Sequence, residues 1–238
     1  MKARKIIRLI ILAVAIVVFA VALFHIIAGE NEYKKGRDEY EEIRQEADTD
    51  EGNGIDWDAL RAINPDIVAW IRFKEPSVID YPVVQGKDNN TYLHRSFGEN
   101  YIKAGTIFVN CDNTPDFKDW NTILYGHNMN DGSMFASLKK YGDKSFYDQY
   151  PTFEIYTPDN ATHTYRIFAV GTYRSSSDPA GKFQFADADD FMDLIRQIKA
   201  SQAYETGIEV TPENRIVTLY TCTNVRASDR WLVFGVEE

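Results

Sequence analysis

The sequence predicts a mainly β domain with flanking helices, of the α+β kind, arranged as a mixed barrel or sandwich. Three observations predict it. Short apolar or alternating runs of strand length recur at brief intervals between Ile67 and Val236. Only a few helical periodicities lie among them, which argues against βαβ repetition. Aromatic residues make up 13% and hydrophobic residues 44% of the 238-residue chain, enough to fill a substantial core.

The amino terminus is set apart from this domain by composition. After the basic tail 1–8, with Lys2, Arg4, Lys5 and Arg8, residues 9–28 are apolar apart from His25. About 20 residues in a helix span roughly 30 Å, the thickness of a bilayer's hydrocarbon core. Cations precede the stretch and Glu30 and Glu32 follow it, so it reads as an anchor with its amino terminus inside and the rest of the chain outside the cell. A cleaved signal peptide is the competing reading, and Ala20-Val21-Ala22 offers a small-x-small site. The uninterrupted apolar run to Ile27 favours the anchor, because signal-peptide cores are usually shorter. Residues 29–54 then read as an extracellular stalk. It is a solvated, charged helix to Ala47, with Glu42 and Glu46 facing water, followed by a loop at 48–54. The remaining 55–238 form the folded domain.

Within that domain, Asp56 is placed to cap a short helix that Asn64-Pro65 ends. Residues 67–71 read as a buried strand. Residues 78–84 form a second extended run that Pro82 restricts to an edge or bend. The pattern predicts a short helix at 88–97, strands at 106–110 and 121–125, and helix at 135–141. A hairpin follows from 153–157 and 164–174 around Pro158-Asp159-Asn160. Phe191, Leu194, Ile195 and Ile198 recur at helical spacing within 187–203. Strands at 215–220 and 231–236 close the chain.

Charge excludes one broad class. The net charge is −10, and setting aside the first 28 residues, which hold four cations and no carboxylate, leaves −14. Such a surface repels a phosphate backbone, so no nucleic-acid partner is expected. Two cysteines make no disulfide framework, and no Cys/His spacing matches a structural zinc site, so no metal is expected.

Chemistry points to Cys222. It ends the apolar strand Ile216-Val-Thr-Leu-Tyr-Thr-Cys222, held by a rigid element yet within reach of solvent. An isolated cysteine is usually a small packed hydrophobe, and Cys111 is read that way. A disulfide between the two thiols is conceivable outside the membrane and would silence Cys222. A reactive thiol needs a nearby cation to favour its thiolate. Arg230 opens the next strand, and a hairpin through 223–229 returns it beside Cys222, with Arg226 in the loop as rival. Of four histidines, His25 lies in the membrane segment and His163 in a polar strand or turn read as exposed. His94 sits in the short helix and borders a pocket. His127 follows the strand 121–125 into a loop, with a fixed backbone and an exposed ring suited to a catalytic base.

Thr218-Leu-Tyr-Thr-Cys222 resembles the TLxTC signature of sortases, the Gram-positive transpeptidases that fix proteins to the cell wall. Arg230 on the following strand and His127 in Tyr-Gly-His-Asn-Met fit the same family. Three further segments are similar to class B sortases: Ile79-Asp-Tyr-Pro-Val-Val-Gln85, Gly105-Thr-Ile-Phe108 and Asn64-Pro-Asp-Ile-Val-Ala-Trp70. So is the long helix-bearing segment 174–211, and the likeness extends over about 55–236. Two places depart from the family pattern. Tyr220 fills the variable position where class B members often carry serine, and 175–182 lacks an aromatic-aliphatic pair over the substrate.

The resemblance implies an eight-stranded β-barrel with amino-terminal helices and a helix-containing loop between strands 6 and 7. It implies a membrane-anchored cysteine transpeptidase with catalytic Cys222, His127 and Arg230, and with Asn89, Leu93, Tyr220 and Thr221 at the substrate. The implied partners are the sorting-signal peptide of secreted surface proteins, a peptidoglycan precursor amine and the plasma membrane. No cofactor is needed. Hydrolytic cysteine peptidase, pilin-polymerising enzyme and non-catalytic tethered binding module remain as alternatives. The order His before Cys runs opposite to that of papain-like enzymes.

Overall fold

The computed structural model describes residues 2–48, 54–74, 79–223 and 226–238. Most of the loop expected at 48–54, the start of the extended run at Val78, and positions 224–225 between Cys222 and Arg230 lie outside the described residues.

Eight strands follow one another as β1 (Ile67–Arg72), β2 (Asp80–Val84), β3 (Ile107–Val109), β4 (Asn121–Tyr125), β5 (Thr152–Tyr156), β6 (Thr162–Arg174), β7 (Ile216–Cys222) and β8 (Asp229–Glu237). They form a closed barrel in the order β1-β2-β3-β4-β7-β8-β6-β5, with β5 pairing back onto β1. Closure decides between the two predicted architectures in favour of the barrel and, among the described residues, leaves no free sheet edge. Two neighbours are parallel, β2 with β3 and β4 with β7, and the others antiparallel. Pro82 sits opposite Trp70, and β3 joins β2 only from Val83 onward. The proline therefore lies where β2 has one neighbour, which its missing N–H tolerates.

The barrel wall separates two apolar layers. Inside, Val217, Leu219 and Val233 join a large cluster with Trp70, Phe153 and Tyr165. Outside, Ile216, Leu232, Phe234 and Val236 pack against Phe191, Leu194, Ile195 and Ile198 of α5 (Ala188–Ala200). Asp187 caps that helix by accepting from the Asp190 amide. Each of these large side chains contributes about 1.5–3 kcal/mol on burial. The segment between β6 and β7 thus carries α4 (Asp178–Gly181) and α5, a helix-containing connection as expected.

The amino-terminal helices differ from expectation in one respect. Helix α2 (Trp57–Ile63) is capped by Asp56 and ended by Asn64 as predicted. Helix α1 runs unbroken from Lys2 to Ala47. Its apolar half is exposed along its length and is long and apolar enough to cross a membrane. Its charged half is not solvated all round. Gly36, Tyr40, Ile43 and Ala47 are buried against the barrel, while Glu42 and Glu46 stay exposed. The Tyr40 hydroxyl donates to the Gly105 carbonyl at 2.5 Å. The 4-3-4 spacing of those four residues is a helical stripe, narrow enough to be hidden among charges.

Three short elements also depart from the sequence pattern. The helix expected at 88–97 is a single 3-10 turn, Thr91–Leu93, because Asp88 accepts from the Asn90 and Thr91 amides and bends the chain first. The expected helix at 135–141 is 3-10 from Ala136 to Gly142. Helix α3 (Lys144–Gln149), capped by Asp143, is too short to leave a periodic signal.

Candidate active site

Alternation along β7 decides which of its residues reach the surface. Val217 and Leu219 face the interior, and Ile216 and Tyr220 face the outer layer. Continuing the two-residue period places Thr221 inside and Cys222 outside. Thr221 is accordingly 1% exposed and Cys222 half-buried. The Thr221 side chain, expected at the substrate, is enclosed on the interior face.

Cys222 pairs with Arg230 across the β7–β8 ladder. On β8, Leu232 and Phe234 belong to the outer layer, so Arg230 shares the outer face with Cys222. Its guanidinium lies over the Tyr220 ring, 5.7 Å from the centroid, and donates to the Ala227 and Asp229 carbonyls at 2.7 and 3.0 Å. Carbonyls and an aromatic face are neutral partners for the cation on the face it shares with Cys222. Tyr220 packs edge-on against Tyr125 at 4.9 Å. Burial raises its phenol pKa and Arg230 opposes the rise.

His127 arrives from β4, the other neighbour of β7. The parallel ladder runs to Tyr125 opposite Tyr220, and the Gly126 amide donates to the Tyr220 carbonyl at 3.1 Å. A Cβ on Gly126 would sit 2.6 Å from the Phe135 ring, so only glycine permits this departure from the strand. The ring is then held through Nε2, 2.7 Å from the Leu93 carbonyl. A carbonyl can only accept, so Nε2 carries a proton and Nδ1 is the nitrogen left for proton exchange. Gly105, at φ 58°, makes room for that carbonyl, because its Cβ would meet Tyr92 O at 2.4 Å and Leu93 O at 2.5 Å. His94 stacks on His127 with centroids 5.6 Å apart. Burial holds the His127 pKa below its ordinary value. The Leu93 bond partly offsets this and the neighbouring His94 charge adds to it.

The remaining sequence candidates separate into structural and surface roles. Asn89 braces a turn, accepting from the Cys111 amide at 2.8 Å and donating to Asn110 Oδ1 at 3.3 Å. Leu93 is half-buried and offers its carbonyl to His127. His163, read from sequence as exposed, is half-buried and bonded to Glu237 at 2.7 Å across a strand pair. Cys111 and Cys222 are both free thiols, and burial raises the Cys111 pKa. Sequence reasoning missed Asn128, whose Nδ2 donates to the Cys222 carbonyl at 2.8 Å. The only available signal was its place directly after His127.

Comparison with known proteins identifies the family. The sortase domain family matches residues 75–238. Sortase B of Listeria monocytogenes serovar 1/2a is 41% identical over 164 residues, 68% of this chain and 65% of that protein. Sortase B of Staphylococcus aureus is 31% identical over 219 residues, 90% of this chain and 87% of that one. A solved Staphylococcus aureus sortase B–substrate complex superposes with a TM-score of 0.77 at 27% identity, covering 87% of this chain and 98% of that chain. The chain belongs to the sortase family, whose members are cysteine transpeptidases. The class B likeness read from its motifs is carried by both relatives.

Proposed function

We propose that this protein is a membrane-anchored transpeptidase that joins secreted proteins to a cell-wall peptidoglycan amine, with Cys222, His127 and Arg230 as its catalytic residues. The observation that carries the reading is the pairing of Cys222 with Arg230 on one outer barrel face, beside the loop that presents His127. Domain 55–238 is the catalytic unit. Residues 9–28 form the anchor, with 1–8 in the cytoplasm and the barrel outside the cell.

The Cys222 thiolate attacks the threonine carbonyl carbon of a carboxy-terminal sorting signal. Charge then develops on the carbonyl oxygen, and the Arg230 guanidinium donates hydrogen bonds to it, an interaction stronger in the transition state than before it. The carbon–nitrogen bond breaks as His127, in its imidazolium form, gives its Nδ1 proton to the departing amine. The product is a thioester, which divides one difficult amide exchange into two steps. The incoming peptidoglycan amine attacks that thioester and passes its proton to neutral His127, and Cys222 leaves as thiolate. No metal or organic cofactor is called for. Tyr220 and Leu93, both half-buried, line the sorting-signal groove, with Asn89 shaping the turn before Leu93.

The test is product analysis with peptides of the LPxTG and NPxTN types, with and without oligoglycine or diaminopimelate as acceptor. An amine-joined product supports transpeptidation. Cleavage with water alone, at every acceptor tried, favours a hydrolytic peptidase.

A further inference from the structure

The parallel ladder between β4 and β7 has a regular donor pattern. The Gly126 amide donates to the Tyr220 carbonyl. Two residues on, a continued strand would bring the amide of residue 128 to the carbonyl of residue 222. The chain does not continue. It turns at His127, and the backbone of residues 127 and 128 is taken up by the following loop, with the Phe135 amide on the His127 carbonyl at 2.9 Å and Asn128 bridged to Met134. The Cys222 carbonyl would lose its ladder donor at this point. The Asn128 side chain supplies it instead, Nδ2 to oxygen at 2.8 Å. A side-chain amide thus takes the place of the strand's own N–H, one residue after the base and on the backbone of the nucleophile.

We infer that Asn128 is a positioning residue that holds the Cys222 end of β7 in fixed register with His127. The inference rests on the proposed roles of those two residues. The arrangement meets two opposed demands. His127 must leave the sheet to present its ring, whereas Cys222 must stay anchored to it. Asn128 also buries its polar group, at 7% exposure, so removing the donor leaves the carbonyl without that partner in a nearly dry place. Misplacement of reacting groups by about 1 Å costs rate on the order of 10²-fold, without weakening substrate binding in proportion.

The experiment compares the full chain with Asn128→Ala and Asn128→Gln, after thermal melts select the folded variants. Acylation by the best sorting peptide gives kcat and KM. Iodoacetamide alkylation of Cys222, measured also in His127→Ala and the double variant, reads the Cys–His coupling without any peptide. Asn128→Ala is expected to lower kcat by roughly 10- to 100-fold with KM within about 2-fold, and Asn128→Gln, which keeps an amide donor, to recover about 3-fold or more of the loss. The alkylation effects of His127→Ala and Asn128→Ala are expected to be non-additive. A folded Asn128→Ala with kcat within about 2-fold of the parent overturns the inference, as do additive alkylation effects. If Asn128→Ala does not fold, Asn128→Gln carries the test, and its alkylation effect being additive with His127→Ala overturns the inference. If the parent acylates with no peptide, the proposed reaction fails, and the alkylation cycle decides the positioning role by itself.

Discussion

Cys222 and Arg230 face one another as a pair of the β7–β8 ladder, both on the barrel's outer face. The relationship is a backbone one, so it survives any rearrangement of either side chain. It follows that Arg230→Lys keeps the charge and loses the planar fork. Because one lost oxyanion donor typically costs about 10²–10³ in kcat, Arg230→Lys is expected to fall in that range, and Arg230→Ala at or beyond it. Steady-state kinetics of transpeptidation check this, with KM expected to change far less than kcat.

The His127 titration makes a signed prediction about stability. Its folded pKa lies below 6.5, chiefly through burial. Between the folded value and the ordinary one, the unfolded chain binds more protons, so stability rises with pH there. The contribution is complete above the ordinary value and is lost as pH falls through the folded value. Denaturant melts across that window should show a steeper pH slope for the parent than for His127→Ala. Parallel slopes would contradict the burial argument.

His94 adds to the same shift through its charge. His94→Gln is expected to raise the His127 pKa, seen by NMR titration of its ring protons. More imidazolium is then present near neutral pH.

Helix α1 carries the apolar stretch proposed as the anchor and also packs on the barrel. Tyr40 is 3% exposed and hydrogen-bonded to the Gly105 carbonyl. Tyr40→Ala removes a buried aromatic side chain and is expected to cost about 3–5 kcal/mol. A chain beginning at residue 30 should accordingly melt well above one beginning at residue 50, which lacks Tyr40, Ile43 and Ala47. Equal melting temperatures would mean that the docked stripe contributes nothing.

Gly105 is a second structural test. At φ 58°, with a Cβ only 2.4 Å from a backbone oxygen, Gly105→Ala cannot be accommodated without moving the Tyr92–Leu93 carbonyls. A loss of at least ~1–3 kcal/mol is expected from backbone conformation alone. Activity should fall as well, because the Leu93 carbonyl orients His127.

Much of this site was readable in the chain because its parts are local. Cys222 closes an apolar strand, Arg230 returns after one hairpin, and His127 follows a strand directly. Alternation from Leu219 already distinguishes the face of Thr221 from that of Cys222. What the chain concealed depends on distant partners. The donor role of Asn128 requires the parallel register of β4 on β7, two strands separated by some ninety residues of other structure. The docked face of α1 is a stripe of four residues among charges, and only the barrel surface beneath it gives the stripe meaning. The 3-10 turns at 91–93 and 136–142 are too short to leave a helical period.

The proposed reaction turns on a thioester at Cys222. The measurement is intact-protein mass spectrometry after brief mixing with a sorting peptide and no acceptor amine, followed by hydroxylamine. The expected result is an added mass equal to the peptide's acyl part up to its threonine, absent in Cys222→Ala and released by hydroxylamine as the hydroxamate. Product formation by Cys222→Ala, or an adduct on any other residue, would contradict it.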